Sequence, residues 1–103
     1  MKLREIAHSR TGDKGNTSNI SLICYDEKNY PLIEKYVTAE VVKEFFKDIV
    51  KGEVVRYELP TIGALNFVMY QALGGGVTRT LALDIHGKGL GSALMNLEIS
   101  ETL

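Results

Sequence analysis

Between Thr38 and Gly52 the chain carries a helix that can face water on one side only. Val41, Val42, Phe45, Phe46 and Ile49 recur at spacings of three and four, and Lys43, Glu44, Lys47, Asp48 and Lys51 fill the opposite face. Thr38 is suited to cap the N-terminus, Glu40 stands in the first turn, and Gly52 is a natural end. Such a stripe has to be covered, each large side chain gaining roughly 1.5–3 kcal/mol on burial. In 103 residues there is room for one core, so the helix calls for a sheet beneath it.

Strand-like segments supply that sheet. Leu3–Ser9 reads as a short first strand. Ser18–Tyr25 alternates Ile20, Leu22 and Cys24 against Ser21, Ile23 and Tyr25, as expected of a strand buried on both faces. Glu53–Leu59 is a third, ended by Pro60, which cannot donate to a ladder. Thr61 then caps a second helix, Ile62–Leu73, closed by Gly74, and Thr78–Ile85 is a fourth strand. Leu32, Ile33 and Tyr36 mark a short helical turn before Thr38. Leu90, Leu94 and Leu97 repeat at helical spacing, shortened by nearby glycines, with Met95–Ile99 as an alternative closing strand. The order ββαβαβ places both main helices on one face of the sheet. The expected fold is α/β (α+β): a two-layer, ferredoxin-like sandwich of four strands, residues 1–103 forming one domain.

Composition narrows the function. The chain is 45% hydrophobic and 24% charged, with a formal net charge of −1. No basic stripe exists, which argues against nucleic acid and anionic membranes as partners. The start, MKLREIAHSR, lacks the apolar run of a signal peptide, and no stretch approaches the ~20 apolar residues of a membrane span. A lone Cys24 permits no internal disulfide, iron–sulfur cluster or structural zinc by itself. Amid apolar neighbours it reads as a small core residue. A cytoplasmic protein without a metal is expected.

Three glycine-bearing connections could carry chemistry. The segment Ser9–Thr17 (SRTGDKGNT) reads as a polar loop longer than two strands require. In it Gly12 and Gly15 allow positive φ, so backbone N–H groups could converge on an anion, with Arg10 and Lys14 adding charge and Asn16 a neutral donor. Its spacing is not that of a Walker A loop. The bland alternative is a turn in which Asp13 pairs with Lys14 or Arg10. Gly75 and Gly76 exceed what a helix end at Gly74 needs, which suggests close approach of a ligand or a neighbouring chain. The third connection, Asp84-Ile85-His86-Gly87-Lys88, ends the fourth strand. His8 and His86 are the only histidines, and no metal-ligand spacing joins them. One pocket made of Arg10, Gly12, Asp13, Lys14, Gly15, Asn16, Gly75, Gly76 and Lys88 would give the three connections a shared cause.

The segment Ile62–Leu73 (IGALNFVMYQAL) holds no charge, and as a helix it would be apolar all round. A second chain would have to cover it, as a symmetric homo-oligomer or a larger subunit, unless Leu90–Leu103 wraps over it.

The strand-loop-strand AHSRTGDKGNTSNISLI and the run VVRYELPTIGALNFVMYQALGGGVTRTLALDIHGKGLGSALMNLEI resemble the small C-terminal domain of the acyclic terpene utilisation protein AtuA and its relatives. The set TGDKGN, LNF, GGG and DxxGK carries the resemblance, and the region 27–51 matches only in helical pattern. His8 stands where relatives often have a small residue, and His86 is also a departure. The resemblance implies a ferredoxin-like domain fused to, or encoded beside, a large domain, in the catabolism of branched acids through CoA thioesters. It brings no assigned catalytic residue. The expectation is an accessory domain, not itself catalytic, that binds a partner chain and an anionic small ligand at TGDKGN. The alternative is a small enzyme acting on a CoA thioester or related acid, with a phosphate-bearing ligand on the basic loop and Asp13 or Asp84 moving a proton.

Overall fold

The structure, a computed structural model, describes residues 1–14, 17–71 and 89–103, with side chains 13 and 14 outside the description. Its first regular element is a 3-10 turn, Leu3–Glu5, anchored by Leu3 N–H donating to the Leu97 carbonyl at 2.8 Å. Strand β1 follows as Ala7–Lys14, and β2 as Thr17–Cys24. The expected strand Leu3–Ser9 therefore starts and ends too early.

The expected long loop Ser9–Thr17 is not there. Ser9 to Lys14 continue β1, and Lys14 pairs with Thr17. The polar residues and glycines there favour a turn, but cross-strand pairing onto Thr17–Cys24 overrides that local preference. Gly12 is extended strand backbone; among the described residues the glycine at positive φ is Gly63. Gly12 thus does not take the positive φ that the loop reading gave it. Its missing side chain instead admits Asn19, whose Oδ1 would lie 3.1 Å from a Cβ there.

Helix α1, Tyr30–Tyr36, has Pro31 in its first turn, where the absent N–H costs nothing. Helix α2, Ala39–Phe45, is capped by Thr38, whose side chain accepts from Val41 N–H at 3.1 Å. The stripe divides: Val42 and Phe46 enter the core, Val41 and Ile49 are half-buried, and Phe45 is exposed. The helix stops before the expected Gly52. A turn returning Ile49 and Val50 N–H to the Phe46 carbonyl, both at 2.8 Å, ends it first. Gly52 serves another purpose, letting its backbone lie against Tyr70, where a Cβ would come within 2.6 Å of the carbonyl oxygen.

Strand β3, Val54–Leu59, is joined to β4, Ala64–Tyr70, by a 3-10 turn at Pro60–Ile62 that Gly63 closes at φ +64°. The helix expected over Ile62–Leu73 is thus a strand over most of its length. Leu65, Phe67 and Met69 are fully buried at a spacing of two, while Asn66 and Val68 are half-buried and Tyr70 is exposed. A charge-free segment needs no wet helix face when it lies inside a sheet between two other strands. Residues 72–88, including the expected fourth strand Thr78–Ile85, lie outside the described residues.

The sheet order is β1-β2-β4-β3, every neighbouring pair antiparallel. Strands β2 and β3 therefore run parallel, linked by α1 and α2, with β4 inserted between them: a split β-α-β unit. Helix α3, Gly89–Leu94, buries Leu90 and Leu94 and packs on β1 and β2, as their spacing predicts. Met95–Ile99 makes no strand beyond a single bridge from Glu98 to Lys2. The helices share the core face: Gly91 lies against Ser9 and Thr11, and Arg56 donates to the carbonyls of Glu34 and Val37 at 2.7 and 3.0 Å. This is a four-stranded antiparallel sheet with helices on it, the ferredoxin-like α+β plan. No helix among the described residues is long and apolar enough to cross a membrane.

Candidate functional site

With the helices on one face, the opposite face of the sheet is where side chains can meet a partner. Directly paired residues of antiparallel strands share a face, so the register assigns each position. Ser9, Thr11, Ser18, Ile20, Leu22, Leu65, Phe67 and Met69 point toward the helices. On the open face one row crosses all four strands: Arg10 opposite Ser21, Ser21 opposite Asn66, and Asn66 opposite Tyr57. Its centre is tied together by Asn66 Nδ2 donating to Ser21 Oγ at 3.0 Å. A second row runs His8, Ile23, Ala64, Leu59, and a third Gly12, Asn19, Val68, Val55.

The face mixes exposed apolar area with one kind of charge. Tyr57 is 52% exposed, Leu59 41% and Tyr70 42%. Tyr25, just past β2, lies against His8 with ring centroids 5.1 Å apart and the planes tilted by 32°. No carboxylate occupies an open-face position of the four strands, and Arg10 is exposed. Arg4 bonds Asn96 and Arg56 bonds Glu58, whereas Arg10 has no such partner among the described residues. Lys14 occupies the same face by register.

Of the expected pocket, only part is placed. Arg10 and Gly12 lie in adjacent open-face rows, and Lys14 two residues further along β1. Asp13 follows Gly12 on β1 and is paired with Ser18. Gly15, Asn16, Gly75, Gly76, Asp84, His86 and Lys88 lie outside the described residues. Ser21 and Tyr57 join this face only through the register, and the helix expected over Ile62–Leu73 hides Asn66 and Tyr70 from it. The alternation of Leu65, Phe67 and Met69 against Asn66, Val68 and Tyr70 was the signal that would have found them.

Elsewhere the chemistry is quiet. Burial, and less so the nearby Asp26 carboxylate, push the Cys24 thiol up, as for a core residue. Tyr30, beside it, has a buried hydroxyl without a hydrogen-bond partner among the described residues; burial first, then Glu34 and Glu58, push its pKa up. Among the described residues no group of His, Cys, Asp or Glu could hold a metal ion. On the helix layer an open apolar groove of about 350 Å³ is lined by Glu40, Val41, Glu44, Phe45 and Leu97.

No curated protein and no solved structure matches the chain. The model of one family does, the AtuA ferredoxin-like domain, over residues 1–100. That span takes in the open-face rows, the split β-α-β unit and α3 together, and the chain belongs to the AtuA ferredoxin-like domain family.

Proposed function

We propose that this chain is an accessory domain without catalytic groups of its own, and that it binds a partner protein through the open face of its sheet. The observation that carries this reading is the row Arg10–Ser21–Asn66–Tyr57, flanked by exposed Leu59 and Tyr70. Exposed aromatic rings beside an arginine are the residue types that dominate binding energy at interfaces. Arg10 supplies the anchor for an anionic group, with Lys14 on the same face by register. The resemblance to AtuA points to the partner: the large domain that is fused to this one, or encoded beside it, in relatives.

Sedimentation velocity on the purified chain mixed with an AtuA-type large domain tests the reading. A complex should form, and the double substitution Tyr57→Asp and Tyr70→Asp should weaken it at least about tenfold. Phe45→Asp, on the helix layer, should leave it intact. Absence of a complex, or loss with Phe45→Asp alone, would overturn the assignment.

A further inference from the structure

The relief of the open face narrows what can sit on it. On β1, His8 and Arg10 rise along one side, and on β3, Tyr57 and Leu59 rise along the other. The two inner strands carry only Ser21, Ile23, Ala64 and Asn66 in the same rows, and Ser21 and Asn66 are held to each other. The result is a trough with long side chains on both outer strands and short ones between them. β1 and β3 lie three strand spacings apart, roughly 14 Å. An α-helix with its side chains is about 10–12 Å across. The two rows are about 7 Å apart along the strands, close to the 5.4 Å rise of one helical turn.

We infer that the trough is the seat of a single amphipathic helix of the partner, lying along the strands, with a carboxylate placed over Arg10. This deepens the partner-binding reading and rests on it. A second sheet would need a broad flat face, and the raised Tyr57, Leu59 and Arg10 would hold it off the small inner residues. A helix has a narrow apolar stripe that reaches the half-buried Ile23 and the floor at Ser21 and Asn66, with buried Ala64 beneath, while its flanks touch the outer rings. The charge is equally selective. The face has a guanidinium with no partner among the described residues, and no carboxylate within its four strands, so an acidic flank is attracted and a basic one repelled.

The test uses the full chain, immobilised and panned against a displayed library of two- to four-turn helices with randomised surface positions. The helices selected should converge on apolar residues at spacings of three and four, with Asp or Glu beside them. Their affinity, as synthetic peptides, should fall at least about tenfold with Arg10→Glu, and exchanging the peptide carboxylate for Lys should restore it. Ser21→Tyr, which fills the trough floor, should abolish binding. Circular dichroism and urea melts of both variants separate these losses from misfolding, and Arg10→Gln, with an intermediate loss, repeats the test without charge reversal. Selected helices indifferent to both Arg10 variants and to Ser21→Tyr would overturn the proposal. So would a chain that self-associates through this face, making a second copy the occupant. If the large domain binds through Tyr57 and Tyr70 but no helix competes with it, the partner reading stands and the helix falls. If no large domain binds yet acidic helices do, the partner's identity falls and the helix stands.

Discussion

Replacing Gly91 by alanine sets helix propensity against tertiary packing, and the structure says which wins. Gly91 lies inside α3, where alanine is favoured over glycine by about 1 kcal/mol in isolation. A Cβ added there would come 2.7 Å from both Ser9 Oγ and Thr11 Oγ1, and 3.1 Å from Ser9 Cβ. Both distances to oxygen are too short for contact. A hydroxyl can turn away, but Ser9 Cβ is fixed to the strand, so the helix itself must lift. Overpacking of this kind costs about 1–3 kcal/mol. Lifting α3 also stretches the bond from Gly91 N–H to Thr11 Oγ1, now 2.9 Å, whose loss costs about 1 kcal/mol more. The net expectation is destabilisation by roughly 1–3 kcal/mol, a fall in Tm on the order of 10 °C for a domain of this size. Urea unfolding followed by circular dichroism gives the free energy, and Ser9→Gly in the Gly91→Ala background should recover part of it. An alanine variant as stable as the parent, or more so, would show that α3 does not press on β1 at this point.

Two further outcomes follow from single groups. Tyr30→Phe should leave stability unchanged or raise it by up to about 2 kcal/mol, because the hydroxyl is buried without a partner among the described residues; a loss above about 1 kcal/mol in urea melts would mean that it is bonded in solution. The Glu98 carboxylate is held below its ordinary 4.5, first by the hydrogen bond from Lys2, so what this contact contributes is complete above that pH and is lost as pH falls through the lowered value. Carboxyl chemical shifts followed by NMR against pH should show Glu98 titrating late, and Lys2→Met should return it to the ordinary range.

The stretch from Ala7 to Lys14 shows how far residue types alone can go. Arg10 to Lys14 hold the polar residues and glycine that favour turns, and little local to them marks a strand. They form one because β2 offers a complete ladder beside them, from Ala7 opposite Cys24 to Lys14 opposite Thr17. The same competition settled Ile62–Leu73. Its charge-free apolar run fits a buried helix or a buried strand equally, and Thr61 resembled a cap. Neighbours on both sides, β2 and β3, decided for the strand, and with it the open face gained Asn66 and Tyr70.

Local chemistry by itself determined the Thr38 cap, the buried positions Val42 and Phe46, the strand Val54–Leu59, the core cysteine and the leucine pair that seats α3. Each depends on contacts within a few residues or on burial that hydrophobicity announces in advance. What only the tertiary structure decided was the strand order, the register and therefore the row Arg10–Ser21–Asn66–Tyr57. The pair Arg10 and Ser21 is far along the chain from the pair Tyr57 and Asn66. A shift of one residue in any of the three pairings would turn a strand's side chains to the opposite face, so their meeting is a property of the sheet.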